Sequence, residues 1–556
     1  MQKTFTLFTL FLLAAFGLQA QIIISDDDLQ GDQTYNWTND NVYQLDGFVY
    51  LEAGGVLNIE AGTRIEGLPE NDNDEVGTLI ITNGAQIFAE GTAAEPIVFS
   101  GSQIDDVNDP VDIFRGSWGG VIVLGDANVG DENSMGFANI EGIEAEARTQ
   151  FGGDNDEDNS GVLRYVSIRF GGFPLSPNNE INGLTLGGVG SGTTIEHIEI
   201  FANDDDGVEF FGGTVDLKYG VVAYCGDDSY DTDMAWSGRG QFWFSLQDPE
   251  QTGGSSPNGG EHDGSEDPND ATGGPVQTVF NATYIGRGEN AQIAGDNNAL
   301  TIKDNAAISY NNSIFTEFDD FAVSMQDGAA DRYVANEFDL LNNIFFNISG
   351  DALGNPIQLD GNDATLTTVA LAFATDGNDV VDPELARVNF TPSTDGGADG
   401  NGVDPRPGFF SPARTGAADA PAGDDFFEST TYRGAFDPTD ELWAAWTLSY
   451  QRGLIVETLN VNTIDFGRNE DGVKVLVSPN PTADLVALSI ELPAATQADA
   501  MIYDQFGRNI AQFDLGQLQA GSNQPTINLG ELVSGNYFIV LNTKFGAVSQ
   551  RVTVAK

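Results

Sequence analysis

The run Ile195-Glu196-His197-Ile198-Glu199-Ile200-Phe201-Ala202-Asn203-Asp204-Asp205-Asp206 has an echo further along the chain: Ile195, Ile200, Asp205 and Asp206 return 22 residues later as Leu217, Val222, Asp227 and Asp228. Stacked coils return similar residues at a fixed interval, whereas the strands of a sandwich have no reason to. A second register follows. Asn281, Asn312 and Asn343 are each 31 residues apart, in Phe280-Asn281-Ala282-Thr283-Tyr284, Asn311-Asn312-Ser313-Ile314-Phe315 and Asn342-Asn343-Ile344-Phe345-Phe346. Stacked amides at a bend satisfy one another and the neighbouring backbone, so these asparagines are expected to form an internal ladder.

Working outward, short β-rich runs recur between Gly, Asn and Asp, and no segment keeps a helical period over four turns. Val56 to Ile65 alternates, and Thr78–Ile81, Ala85–Ala89 and Pro96–Phe99 follow it. The reading is an all-β chain: a right-handed parallel β-helix, or solenoid, with coils of roughly 22 to 31 residues, on the order of 12 to 15 coils and fewer if the insertions are long.

Lys3, the apolar run Phe5–Phe16 and the small Ala20 have the layout of a cleavable signal peptide over residues 1–20. The run is too short to span a bilayer and no second one follows, so no transmembrane segment is expected. The single cysteine, Cys225, excludes an internal disulfide framework and reads as a buried small hydrophobe. Of 85 acidic and 22 basic residues, only six and five fall in 474–556. The acidity therefore belongs to the body at residues 21–458. Such a field repels nucleic acid and anionic membranes as partners.

The body's motifs are specific. Gly116-Ser117-Trp118-Gly119-Gly120, Asn203-Asp204-Asp205-Asp206-Gly207-Val208-Glu209-Phe210-Phe211-Gly212-Gly213 and Gly226-Asp227-Asp228-Ser229-Tyr230-Asp231-Thr232-Asp233 resemble secreted β-helix proteins of the pectin-lyase type. Tyr432-Arg433-Gly434-Ala435-Phe436-Asp437-Pro438, with Trp443 and Trp446, resembles the segment that closes such helices. The resemblance implies the fold and no settled activity.

Residues 459–473 read as a polar linker, and residues 474–556 as a small antiparallel β-sandwich. Three ordered signatures lie there: Pro479, Asn480 and Pro481; Gly507 and Arg508; and Gly535 and Tyr537. Together they resemble the type A sorting domain of type IX secretion. The resemblance implies recognition by the outer-membrane translocon as partner, and export through the periplasm to the cell surface or the medium.

The chemistry is expected in the carboxylates. Asp204, Asp205, Asp206 and Glu209, with Asp227, Asp228, Asp231 and Asp233 one coil later, suit a hard cation that wants six to eight oxygens, with calcium as the cofactor. Asp154-Asn155-Asp156-Glu157-Asp158-Asn159 fails as an EF-hand, because Asn159 replaces its glycine and Tyr165 its closing glutamate. His197 reads as a coil-surface residue and His262 as a loop residue, so zinc is unsupported.

The functional expectation is a calcium-stabilised surface protein that binds or adheres, with polysaccharide or host glycan as partner through aromatics and the insertion at 247–275. The alternative is a calcium-dependent polysaccharide lyase, with Lys218 or Arg239 as base beside the acidic clusters, or a glycoside hydrolase using two carboxylates.

Overall fold

The computed structural model describes residues 20–130, 136–140, 142–176, 179–249, 257–264, 276–288, 297–350, 355–388, 402–408, 411–440, 442–457, 473–504 and 509–556. The expected signal peptide therefore lies outside the described residues, apart from Ala20. The chain divides into two units, Met1–Val456 and Glu457–Lys556. Nearly all of the expected linker falls outside the described residues. Among the described residues no helix is long and apolar enough to cross a membrane.

The first unit is a right-handed parallel β-helix. One face is a ten-stranded parallel sheet that runs from Phe48–Leu51 to Ile357–Asp360. The other two faces are joined in a 17-stranded sheet, because several strands turn a corner without ending. The 22-residue register is real: Ile195 pairs with Leu217 and Ile200 with Val222. Ten strands on one face are fewer than the 12 to 15 coils expected, because insertions lengthen several turns; Val121 and Leu184 are neighbours in the sheet although 63 positions apart.

The corner has a definite residue pattern. Gly161–Arg169 pairs through Val162–Arg164 with one neighbour and through Val166–Ile168 with another, and Tyr165 between them has φ 49°. His197, Tyr219 and Phe242 repeat that left-handed bend on the next three coils, and Asn281, Asn312 and Asn342 continue it. Asparagine tolerates this region because its short polar side chain bonds locally. The aromatic side chains do not, and their stacking offsets the strain. Ring centroids are 4.3 Å apart for Tyr165 and His197, 4.4 Å for His197 and Tyr219, and 4.9 Å for Tyr219 and Phe242.

Two expectations change here. The third asparagine of the column is Asn342, not Asn343, since one coil is a residue shorter: Thr283 pairs with Ile314, but Ile314 with Ile344. Nor do these amides form an inward ladder. Asn281 donates to Thr430 Oγ1 and to the Tyr432 carbonyl, and Asn312 to the Ala418 carbonyl. Asn281 and Asn312 are thus buried on the outside of the coil, whereas Asn343 donates to the Tyr310 carbonyl at 2.7 Å.

Those outer partners belong to a strap, the described residues of 402–456, that lies along the side of the β-helix. Phe201, Val221, Ala223, Phe244, Leu246 and Ile285 face outward, yet form a second core with Ala435, Phe436, Leu442, Ala444 and Leu448 of the strap. Burial on both faces explains why Val221-Val222-Ala223 and Phe242-Trp243-Phe244 are continuously apolar instead of alternating. The expected closing segment, Tyr432–Trp446, thus covers a lateral face.

The second unit contains two antiparallel sheets around its own core of Val475, Val486, Leu488, Ile490, Ala500, Ile502, Ile539, Leu541 and Val552. Tyr537 is buried and donates to the Val533 carbonyl, and Gly535 opens the strand Gly535–Thr543. Gly507 and Arg508 lie outside the described residues.

Candidate metal centre

Strands alternate their side chains, so on the ten-stranded face Phe210, Thr232, His262 and Ile302 point into the coil. Their neighbours Glu209, Asp231, Glu261 and Thr301 point out, and stand directly in register on four successive strands. Strand spacing sets three carboxylates about 4.8 Å apart. The turns just before these strands add Asp205 and Asp206 on one coil and Asp227 and Asp228 on the next.

Gly207 allows the turn to sit tight, since a Cβ there would stand 2.3 Å from Val222 Cγ1. Hydrogen bonds then fix the acids. The Asp228 N–H donates to Asp206 Oδ1 at 2.9 Å, the Asn258 N–H to Asp228 Oδ1, and the Asn182 amide to Glu209 Oε2. One carboxylate oxygen from each of Asp206, Glu209 and Asp231 lies within 4.8 Å of the others, and the same holds for Asp205, Asp206 and Asp227. They line a recess of about 230 Å³ whose walls include Ile122, Ile140, Ile143, Ile181 and Phe211, and among the described residues no Lys or Arg lines it.

The electrostatics follow from burial. Desolvation first, and then the repulsion of neighbouring carboxylates, push Asp206, Asp228 and Asp231 well above the usual carboxylate range. Asp263 is pushed up to about 8, mainly by burial. Lys303 compensates part of this charge, 2.8 Å from Glu261 and 3.2 Å from Asp263. Burial opposes its charge, but these two acids hold it protonated above its ordinary value.

Six of the eight expected ligands, Asp205, Asp206, Glu209, Asp227, Asp228 and Asp231, line this one recess. Asp204 is exposed and Asp233 accepts the Met234 N–H at the strand end, so both stand outside it. Glu180 and Glu261 line it too, and neither was anticipated. Glu261 follows Asp231 by 30 positions, because the turn between those strands is longer, and the 22-residue rule passes over it.

Lys218 and Arg239 are not beside the acids. They stand on the other sheet, under the strap. Lys218 donates to the Phe426 carbonyl and pairs with Glu428 at 3.2 Å, and Arg239 pairs with Asp216 at 2.5 Å and Asp424 at 2.6 Å. Lys218 also ends a charge ladder in which Arg164 pairs with Glu90 and Glu196, and Glu196 is in register with Lys218.

The histidines also differ from expectation. His197 is stacked in the aromatic column beneath Trp443, and burial lowers its pKa to about 4. His262 is fully buried on a strand, between Thr232 Oγ1 and Tyr310 Oη at 3.0 Å each, with its pKa lowered to about 3. Cys225 is buried as expected, its thiol pushed up to about 12. Of the insertion at 247–275, residues 250–256 and 265–275 lie outside the described residues.

Comparison with known proteins decides the family. The model of the pectate-lyase like β-helix domain matches residues 30–382, well over half of the chain. The chain belongs to this β-helix family. The strap lies beyond the part that matches the family. A second model, the secretion system C-terminal sorting domain, matches residues 476–555. This β-helix protein is therefore exported by type IX secretion to the cell surface or extracellular space, and its tail meets the secretion machinery. No curated protein matches the chain. Among solved structures, the enzymatically active domain of tailspike protein 2 from bacteriophage CBA120 is similar at 10% identity, over 92% of this chain and 72% of that one, with a TM-score of 0.21.

Proposed function

We propose that this secreted β-helix protein is a calcium-stabilised binding protein whose acidic recess holds the cation and presents it to a hydroxyl-rich ligand of the glycan class. The observation that supports this is the convergence of Asp206, Glu209 and Asp231, with oxygens within 4.8 Å, in a recess that no basic side chain lines among the described residues. Three carboxylates so placed repel one another, whereas a divalent cation removes that cost and takes oxygen ligands alone. Asn182, 8% exposed, turns its amide nitrogen to Glu209, while its Oδ1 is buried without a protein partner.

The same recess has the apolar walls Phe211 and Ile143, which suit the C–H face of a sugar whose hydroxyls complete the cation's shell. Proton abstraction has less support. Lys218, Arg239 and Lys303 each carry a carboxylate partner, and Lys303 is held protonated.

Calorimetric titration of calcium into the mature protein, followed by a glycan array and a polysaccharide panel read for reducing ends and unsaturated products, tests the reading. One saturable calcium-binding event with calcium-dependent glycan binding and no product supports it. Product release on any polysaccharide would replace it with the enzymatic reading.

A further inference from the structure

The two edges of one sheet in the sorting domain are treated in opposite ways. The sheet runs Asn509–Leu518, Thr496–Asp504, Gly535–Thr543, Gly546–Val554. Its Gly546–Val554 edge is sealed by the segment that carries Pro479, Asn480 and Pro481. The Thr482 N–H donates to the Thr553 carbonyl at 2.9 Å and the Ala555 N–H to the Thr482 carbonyl at 2.8 Å. Asn480 acts as a piece of surrogate backbone, donating to the Arg551 carbonyl at 3.1 Å and accepting the Thr553 N–H at 2.7 Å.

The opposite edge, Asn509–Leu518, is the longest edge strand of this unit among the described residues, and among them it pairs only with Thr496–Asp504. Parity along the sheet fixes which of its main-chain groups face outward. Thr553 and Arg551 bond away from the sheet, so Val552 and Gln550 bond into it. Following the register across, Ala500 and Ile502 bond Phe513 and Ala511, which leaves Gln512 facing out; the register shift between Asp514 and Gly516 reverses the alternation, so Gln517, between Gly516 and Leu518, faces out likewise. Gln512, Asp514 and Gln517 are exposed. Proteins usually blunt such an edge with charge, proline, bulges or a covering segment; this one carries Asp514 and register shifts opposite Ala498/Asp499 and Ile502/Tyr503, but its main chain between them stays in register. Residues 509–518 contain no Lys, Arg or Pro.

We propose that the Asn509–Leu518 edge is the surface on which the type IX machinery adds an extended strand of its own, reading the tail through main-chain hydrogen bonds. The partner is identified by the sorting-domain match at residues 476–555, since that machinery is what such a domain must meet. The sealed edge then has a purpose: it leaves one side of the sheet available, in one orientation.

The test is secretion of the full chain from type IX-competent cells. Gln512→Pro and Gln517→Pro each remove an outward N–H without removing a bond inside the sheet. Each should cut the surface and medium fraction at least tenfold, with folded protein left in the periplasm. Gln512→Ala, which keeps the N–H, should be secreted like the parent. If a proline lowers the melting temperature, the Gln512→Lys/Gln517→Lys double variant, which keeps every N–H but crowds the edge with charge, serves instead and should also be retained.

Deleting residues 474–556 provides the control. If deletion leaves secretion intact, the sorting assignment itself fails. If deletion blocks secretion while the proline and lysine variants are all secreted normally, the edge proposal is overturned. A parent dimer by light scattering that the proline variants break, with normal secretion, would also overturn it, in favour of pairing between copies.

Discussion

The backbone N–H of Asp228 donates to Oδ1 of Asp206 across one coil at 2.9 Å, and so holds a buried carboxylate at the mouth of an acidic recess. Without a cation, Asp206 must keep a proton that the unfolded chain gives up near pH 4. The folded-state pKa is raised, so its contribution is full at low pH and is lost as pH climbs from about 4 through the folded value. Asp206→Asn should therefore flatten that loss. In chelator at pH 8 the variant should melt above the parent, while its calcium affinity falls at least tenfold. Thermal melts in chelator and calcium titration check the two halves.

His262 carries the opposite sign. Its pKa is depressed to about 3 by burial, so the stability it allows is present above about pH 6.5 and is lost as pH falls towards the folded value. By pH 5 the loss amounts to about 2 kcal/mol. His262→Gln should reduce the drop in urea midpoint between pH 7 and pH 5 by a corresponding amount. An unchanged drop would place the acid sensitivity elsewhere.

Glu199 anchors the strap. It is fully buried, and its oxygens accept the N–H groups of Leu448 and Ser449 at 2.8 Å each and the hydroxyls of Ser449 and Ser167 at 2.7 Å each. Glu199→Gln turns an NH₂ towards donors, which costs about 2 to 4 kcal/mol. Limited proteolysis should then cut within 411–457 sooner than in the parent, with the β-helix fragment surviving longer than the strap.

Lys218 and Arg239 serve the same strap, near the Phe426 ring at 4.8 Å each. Lys218→Met should lower stability by about 1 kcal/mol or less, because Glu428 is exposed. Calcium binding and glycan binding should not change. A selective loss of either would tie Lys218 to the recess.

Much of this was legible in the chain. The pairs Ile195 with Leu217 and Asp206 with Asp228 stand one coil apart as their spacing indicates, and with them came the fold and most of the recess. What the spacing could not supply were contacts that depend on variable turn lengths. Glu261 joins the cluster at a 30-residue interval, and Asn342 replaces Asn343 because one coil is shorter by a residue. The aromatic column was hidden for a different reason. Tyr165, His197, Tyr219 and Phe242 share a backbone bend rather than a residue type, and a left-handed φ leaves no mark on a sequence when asparagine and glycine are absent. The strap contacts join residues about 250 positions apart, as in Glu199 and Ser449, beyond any local pattern.

Calorimetric melting of the mature protein, first freed of metal with chelator and then returned to millimolar calcium, tests the central claim most directly. We expect the parent to melt several degrees higher with calcium, and Asp206→Asn/Asp231→Asn to show no calcium-dependent shift. A parent that melts at the same temperature with chelator and with calcium would contradict the account.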